Sequence, residues 1–117
     1  MADDETPFIV VLTTLGSAED AHSFVRALVD QRVVACGTII PSARSIYRWE
    51  GKIADEQEAV VLLKTQRERW DDLQHAVRKL HPYKVPELLS LAVSDGFAGY
   101  LDWVASETHR AGIDSRP

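Results

Sequence analysis

Cysteine is nearly absent from the sequence, and long hydrophobic runs are missing altogether. The single cysteine, Cys36, cannot form a disulfide within the chain, which excludes a disulfide framework and a structural zinc site of the repeated Cys-x-x-Cys type. No apolar run approaches the roughly 20 residues that span a bilayer, and no basic segment precedes an apolar one as in a secretory signal. The expectation is a cytoplasmic protein without a membrane segment.

Positive charge is not in excess either. The formal net charge of −5 argues against nucleic acid as a partner. With 117 residues, of which 45% are hydrophobic and 26% charged, the chain is expected to form one domain with its own core. We predict this domain over residues 7–109, with flexible tails at 1–6 and 110–117, because one end is acidic and the other mixes Gly, Pro and charge.

The first third of the chain predicts a strand followed by a helix. Residues 8–12 form a short apolar run that is typical of a buried strand. Ser17 is expected to cap the next helix by accepting a hydrogen bond from the backbone N–H of Asp20. Apolar residues then recur at helical spacing, at Ala21, Phe24, Val25, Leu28 and Val29.

The middle of the chain predicts a long β-hairpin. A second strand covers residues 33–40, is interrupted at Pro41 and resumes as far as Trp49. Because proline lacks the backbone donor of a sheet ladder, we expect this strand at an edge, with a bulge or bend at the interruption. The return strand is predicted over residues 57–64, after a solvated turn at Asp55 and Glu56.

Two aromatic rings lie near the tip of this hairpin. Tyr47 and Trp49 are two residues apart, so both rings leave the same face of the strand. Each ring can bury on the order of 150–250 Å². The rings are therefore expected to pack either within the subunit or on another copy of the chain.

The last third predicts two helices around a fourth strand. Thr65 and Glu68 have the spacing of a capping box, so a helix is expected to start there and to stop at Pro82. Residues 88–93 form an apolar run that predicts the fourth strand. A final amphipathic helix is predicted from the apolar residues Phe97, Tyr100, Leu101 and Val104.

This order, β-α-β-β-α-β followed by a helix, is typical of an α+β ferredoxin-like fold, with helices on one face of an antiparallel four-stranded sheet. The strands at residues 8–12, 59–63 and 88–93 are nevertheless apolar on both faces. Since the helices can cover only one face, we expect another copy of the chain to cover the other in a closed symmetric oligomer. The alternative is a third helix folded over the open face.

Histidine is the residue type most able to carry metal chemistry here. His81 is held in place before Pro82, and no H-x-H or H-E-x-x-H motif accompanies it, so a hydrogen-bonded structural histidine is the alternative interpretation. Lys64 could form a structural ion pair with Glu50 or Glu87. The further candidate ligands for copper or zinc are Cys36, Glu50, Glu58 and Glu87.

Nothing in the sequence predicts an enzyme. Cys36 lies in an apolar strand, which is typical of an inert buried thiol. Ser45 and His81 lack the surroundings of a triad, and Gly16 with Ser17 does not make a phosphate-binding loop.

Several segments together resemble one known family. In chain order they are Ala35-Cys36, Ile39-Ile40-Pro41, residues 45–52 with Y-x-W-E-G-K, Leu63-Lys64-Thr65, residues 81–87 with H-P-Y-x-x-P-E, and Tyr100-Leu101-Asp102-Trp103. From about residue 8 to about residue 109, the chain resembles the CutA divalent-cation-tolerance proteins.

The resemblance implies a ferredoxin-like subunit in a tight homotrimer, similar to PII-type signalling proteins, cytoplasmic in bacteria and linked to tolerance of copper and other divalent metals. Copper ligation in the family is associated with a Cys late in the first strand and a His-His pair before Pro-Tyr. Thr13 and Leu80-His81 stand at those positions here, so only His81 is left as a metal contact.

We therefore expect a non-catalytic trimeric divalent-cation-tolerance protein that takes copper or another divalent metal and needs none for folding. The alternatives are a PII-like sensor that binds a small anionic ligand in inter-subunit clefts, and a structural trimer that serves as a scaffold. His81 is the expected metal contact, and the clefts are expected near Cys36, Tyr47, Trp49, Glu50, Lys64, Tyr83 and Glu87.

Overall fold

The computed structural model of the protein describes residues 6–109. The predicted tails lie outside the described residues except for Thr6, whose hydroxyl donates a 2.7 Å hydrogen bond to the backbone oxygen of Val93. Four strands and three α-helices follow in the predicted order: β1 (Phe8–Leu15), α1 (Ala18–Asp30), β2 (Cys36–Trp49), β3 (Lys52–Gln66), α2 (Trp70–Leu80), β4 (Leu88–Ala92) and α3 (Ala98–Glu107).

The four strands form one sheet in the order β2-β3-β1-β4, and every neighbouring pair is antiparallel. β2 therefore lies at an edge, as the proline in it predicts. The pairing register between β2 and β3 shifts between Ile40 and Ala43, on either side of Pro41. The predicted bulge at this proline is confirmed, since the missing N–H falls where the ladder is already interrupted.

The start of α1 follows the sequence prediction, but the start of α2 does not. The Ser17 hydroxyl accepts a 3.0 Å hydrogen bond from the backbone N–H of Asp20. The capping box predicted at Thr65 and Glu68 is wrong. Thr65 is the penultimate residue of β3, and its hydroxyl donates a 2.7 Å hydrogen bond to the Val33 carbonyl, while a short 3-10 turn (Arg67–Arg69) leads into α2.

One face of the sheet is covered by helices and holds the core. Residues directly opposite one another across a ladder lie on the same face, and Val11, Leu63 and Gly37 form such a row across β1, β3 and β2. Gly37 is required there, because a Cβ at this position would lie 2.7 Å from Val25 Cγ1 of α1. We call this the covered face; its fully buried residues include Ile9, Val11, Leu15, Val61 and Leu63.

The alternate residues of the same strands form a second apolar face, which the helices described within residues 6–109 leave largely uncovered. We call it the open face. Leu89 and Leu91 are 53% and 50% exposed, and Ile40 is 44% exposed. α3 reaches only one end of this face, where Gln66 Nε2 donates to the Ala105 carbonyl. The open face is made of Val10, Leu12, Ile40, Val60, Leu62, Leu89 and Leu91.

The final helix is present as predicted, but most of the apolar side chains in and beside α3 are exposed within the subunit. Phe97, just before the helix, is 83% exposed, and Tyr100 and Trp103 are both 42% exposed. Only Val104 is buried. The amphipathic pattern of this helix therefore does not correspond to a buried stripe inside one subunit.

Beyond the end of β1, strands β2 and β3 continue as a two-stranded ribbon, which we define as residues 43–58. Its turn is at Glu50 and Gly51, with φ values of 50° and 80°, and Trp49 pairs with Lys52 across it. Two consecutive residues with positive φ make the primed turn that suits the twist of a hairpin. The turn predicted at Asp55 and Glu56 is wrong, because both residues lie inside β3 and pair with β2.

The helices that the structure describes between residues 6 and 109 are all too short or too polar to cross a membrane.

Candidate functional site

A concave site lies where the ribbon leaves the sheet. β1 ends at Leu15, which pairs with Ala59 of β3. Residues 52–58 of β3 therefore have no neighbouring strand on that side. The connector between α2 and β4, residues 81–87, crosses this gap. Together they enclose a cavity of about 600 Å³, which is within the usual size range of small-molecule sites.

Two carboxylates of β3 face this cavity, and each is bonded to a phenol. Tyr47 OH donates a 2.8 Å hydrogen bond to Glu56 Oε1 across the ribbon. Tyr83 OH, from the connector, donates a 2.7 Å hydrogen bond to Glu58 Oε2. Glu58 is only 7% exposed. Trp49 completes the aromatic part of the lining.

Both phenols are held in the protonated form. The hydrogen bond to Glu56 raises the pKa of Tyr47, and burial together with the bond to Glu58 raises the pKa of Tyr83. A nucleophilic or basic tyrosine needs a lowered pKa. The pair of phenols is therefore suited to donating hydrogen bonds and not to attacking a substrate.

His81 fixes the connector from behind. It follows the last turn of α2 in extended backbone geometry (φ −80°, ψ 131°), as expected for a residue before proline. Its ring is 8% exposed and packs edge-on against Phe24 and Tyr83, with centroid distances of 5.2 and 4.9 Å. Nε2 donates to the Thr14 carbonyl at 2.8 Å, and Nδ1 accepts from the Tyr83 N–H at 3.1 Å.

These two bonds determine the state of the imidazole. A carbonyl can only accept and a backbone N–H can only donate, so Nε2 carries the proton and Nδ1 is the acceptor. Burial lowers the pKa of His81, which agrees with a neutral ring. His81 therefore acts in this structure as a bonded structural residue that positions Tyr83.

The residues around His81 in one subunit do not fit a metal ion. Between residues 6 and 109, no three His, Cys, Asp or Glu side chains lie close enough together to hold one. Thr13, near His81 Nε2 at 3.4 Å, supplies a hydroxyl instead of a thiolate. Both imidazole nitrogens are already engaged. The metal contact expected at His81 stays a prediction.

The structure brings only part of the predicted cleft together. Tyr47, Trp49, Tyr83 and Glu87 line the cavity, with His81 directly behind it. Glu50 lies in the ribbon turn and is exposed.

Cys36 and Lys64 lie at the other end of β3. They face one another across the ladder, and Lys64 is six residues from Glu58, or about 20 Å along the strand. The Cys36 sulfur is 3.5 Å from the Tyr100 hydroxyl, and Lys64 Nζ donates a 2.6 Å hydrogen bond to Thr38 Oγ1. These contacts form a separate polar group at the start of the open face.

Sequence reasoning named Glu58 only as a candidate copper or zinc ligand, and it placed Glu56 in a turn instead of in a site. Both are polar residues two apart on a strand, so they leave the same face. The signal that could have found them is Gly51: a turn placed there pairs Ser45 with Glu56 and sets both carboxylates on the face of Tyr47 and Trp49.

The fold and the site together define a class. This is an α+β protein with a four-stranded antiparallel sheet and an acidic, aromatic-lined cavity of ligand size, and the described part of the chain holds no assembled metal centre.

Comparison with known proteins identifies the family. The model of the CutA1 divalent ion tolerance protein family matches residues 9–107, and the chain belongs to this family, as its sequence motifs predict. It is similar to the divalent-cation tolerance protein CutA of Thermus thermophilus, with 42% identity over 99 residues that cover 85% of this chain and 96% of that protein. The corresponding protein of Pyrococcus horikoshii is 36% identical over 102 residues, which cover 87% and 99% of the two chains.

Solved structures of the family match the fold. The T. thermophilus protein has a TM-score of 0.83, and the match covers 86% of this chain and 98% of that one. CutA1 of Oryza sativa has a TM-score of 0.86 at 31% identity, with coverage of 91% and 97%.

Proposed function

We propose that the protein is a non-catalytic homotrimer of ferredoxin-like subunits that acts in the cytoplasmic response to divalent metal ions. Family membership supports the metal-response role, because the relatives are named for divalent-cation tolerance. The observation that carries the assembly is the open face, an apolar sheet surface that the helices described within residues 6–109 leave largely uncovered.

Self-association is the simplest cover for the open face. Isolated apolar side chains are common on protein surfaces, whereas contiguous apolar patches mark interaction sites. Here Leu89, Leu91 and Ile40 are each about half exposed, and Tyr100 of α3 contacts Cys36 at one end of the same face. A second copy carries the same apolar surface and can bury it in a closed arrangement. The proposed number of three subunits is taken from the resemblance to the family.

The ribbon supports the same proposal. A two-stranded hairpin without a third strand or a helix against it has little stability of its own. Ile46 and Ile53 on one face of the ribbon are 67% and 62% exposed, and Trp49 on the other is 52% exposed. In the assembly, the ribbon of one subunit lies on a neighbour, which shields these side chains.

A binding role fits the site better than a catalytic one. The phenols of Tyr47 and Tyr83 are held protonated, and the Cys36 sulfur lies against Tyr100. Neither phenol has the lowered pKa of an activated nucleophile. The acidic lining of the cavity gives no support to an anionic ligand at that position.

The metal part of the proposal rests on His81 and is tested directly. The variant His81→Ala is compared with the wild type in a Cu²⁺ titration by calorimetry, with His22→Ala on the exposed side of α1 as the matched control. If His81 contacts the metal, its replacement weakens Cu²⁺ binding and the control does not. Indistinguishable weak curves for all three proteins would remove His81 from the proposal. Folding is followed by circular dichroism without metal, where we expect a native spectrum.

A further inference from the structure

Glu58 is a buried carboxylate that no cationic side chain within the described residues 6–109 pairs with. The side chain is more than nine-tenths buried, and Tyr83 OH bonds only Oε2. Within residues 6–109, no Lys, Arg or His nitrogen forms an ion pair with it. Burying a carboxylate without a cation is costly, so this arrangement is expected where a cation from outside completes it.

The surroundings of Glu58 select the kind of cation. Glu56 and Glu87 add two further carboxylates to the lining, against one ammonium, that of Lys84. The rings of Tyr47, Trp49 and Tyr83 line the same space. Aromatic faces attract ammonium and guanidinium groups, and they also pack against the carbon chain that carries such a group.

A metal ion or an anion suits this cavity less well. The described residues bring no group of three metal-binding side chains together, and the two phenols each occupy one oxygen of their carboxylate. An anion would meet uncompensated carboxylates. The cavity volume of about 600 Å³ holds a ligand much larger than a hydrated ion.

We propose that this cavity binds a small organic cation with an ammonium or guanidinium group, held by the carboxylates of Glu58 and Glu56 against the rings of Trp49 and Tyr47. The Tyr83 and Tyr47 hydroxyls orient one oxygen of each carboxylate and leave the other free for the ligand. All of these residues belong to one subunit, and the proposal goes beyond the metal-response function. Because Trp49 and Tyr47 lie in the ribbon, the inference rests on the proposed assembly leaving the mouth of the cavity open.

Calorimetry with agmatine, which has an ammonium at one end and a guanidinium at the other, tests the proposal. The buffer is phosphate, because amine buffers are themselves cations. We expect one agmatine per subunit, affinity that falls as NaCl is added, and no detectable binding of the neutral 1,4-butanediol. Glu58→Gln is expected to weaken binding about tenfold or more, because it removes a charged hydrogen-bond acceptor.

Two further variants keep the test independent of folding at Glu58. Glu56→Gln changes an exposed residue of the ribbon and is expected to weaken binding about fivefold. Glu68→Gln makes the same charge change outside the cavity, on the short turn before α2, and is expected to leave affinity within about twofold. Circular dichroism and solution mass are recorded for each variant.

Three results would overturn the proposal. They are no agmatine binding by the folded wild type, wild-type affinity for agmatine in both Glu58→Gln and Glu56→Gln, or binding of 1,4-butanediol as tight as that of agmatine. A wild type that binds no agmatine but loses its assembly in Glu58→Gln would assign the cation to a side chain of another copy. A trimer without agmatine binding contradicts this inference alone, whereas a single subunit that binds agmatine contradicts the proposed assembly alone.

Discussion

The two faces of the sheet are made by alternate residues of the same strands, yet one subunit covers only one of them. Val11, Val61 and Leu63 on the covered face are 0% exposed. Leu89 and Leu91 on the open face are about half exposed. Leu62 and Leu63 are neighbours in sequence and identical in chemistry, but they lie on opposite faces, so the position of the helices alone separates their environments.

This difference separates two events in the formation of the protein. Substitutions on the covered face are expected to act on the unfolding of each subunit, because the removed contacts lie within it. Substitutions on the open face are expected to act on association, because their contacts are supplied by another copy.

The largest effect is expected from Leu91→Lys on the open face. In a separate subunit the lysine ammonium can reach water, but between subunits it would be desolvated without a partner. We expect light scattering to show single subunits and circular dichroism to show a native spectrum. Val29→Lys is the matched control, since Val29 is a 38% exposed apolar residue of α1, and it should keep the wild-type mass. A Leu91→Lys protein that retains the wild-type mass would contradict the role of the open face.

On the covered face, Leu63→Ala should lower the free energy of unfolding by about 3 kcal/mol, because it removes buried contacts and leaves a cavity. Urea unfolding measures this value, and the loss should be independent of protein concentration. Leu62→Ala is the paired variant. Its smaller loss should depend on protein concentration, and losses of equal size and equal concentration dependence would show that the two faces are not distinct.

The ribbon turn gives an intermediate effect. Gly51 has a φ of 80°, which an alanine adopts only with strain, so Gly51→Ala should destabilise the hairpin by about 1 kcal/mol. Hydrogen exchange of the ribbon amides should become faster while the sheet amides stay protected. Gly99→Ala within α3 provides the control, and no acceleration is expected there. Unchanged ribbon exchange in Gly51→Ala would count against the turn at this position.

The smallest effect concerns a titration at the end of the open face. The hydrogen bond to Cys36, together with burial, raises the pKa of Tyr100 to about 12. Absorbance of the phenolate should therefore show a late step that moves towards the ordinary value of about 10 in Cys36→Ala. Because the folded state favours the protonated phenol, this bond stabilises the fold below about pH 10, and the stabilisation is lost as pH rises further.

Tyr47→Phe should leave the late step in place, and a step unmoved by Cys36→Ala would exclude the contact.

Element order was predictable from the sequence because the covered core imposes clear periods. The stripe from Ala21 to Leu28 and the apolar run of β1 each bury a regular face, so their types follow from spacing. The edge position of β2 followed from one residue, Pro41. In these segments, the local sequence pattern and the tertiary packing favour the same secondary structure.

The ribbon and α3 were less predictable because neither packs on the core of its own subunit. Polar and apolar residues mix on both faces of the ribbon, so its strands lose the alternation that marks a half-buried strand, and Asp55 and Glu56 look like a turn. Phe97 has the right spacing for a helix stripe but no partner surface inside the subunit. Thr65 and Glu68 have the spacing of a helix-capping box. The Thr65 hydroxyl instead donates its hydrogen bond to the carbonyl of Val33, which is distant in sequence.

The candidate site was predictable only in part for the same reason. Tyr47, Trp49, Tyr83 and Glu87 were found from their motifs, whereas Glu58 depends on the register of a hairpin whose turn was misplaced. The separation of Cys36 and Lys64 from the cavity follows from strand length, which motifs do not record.

The mass of the purified protein in solution tests the central claim most directly. Light scattering at working dilution should give three times the subunit mass of 13.1 kDa, or about 39 kDa, with or without Cu²⁺. A stable, natively folded species of 13.1 kDa would contradict the account, because its open face would then need no cover.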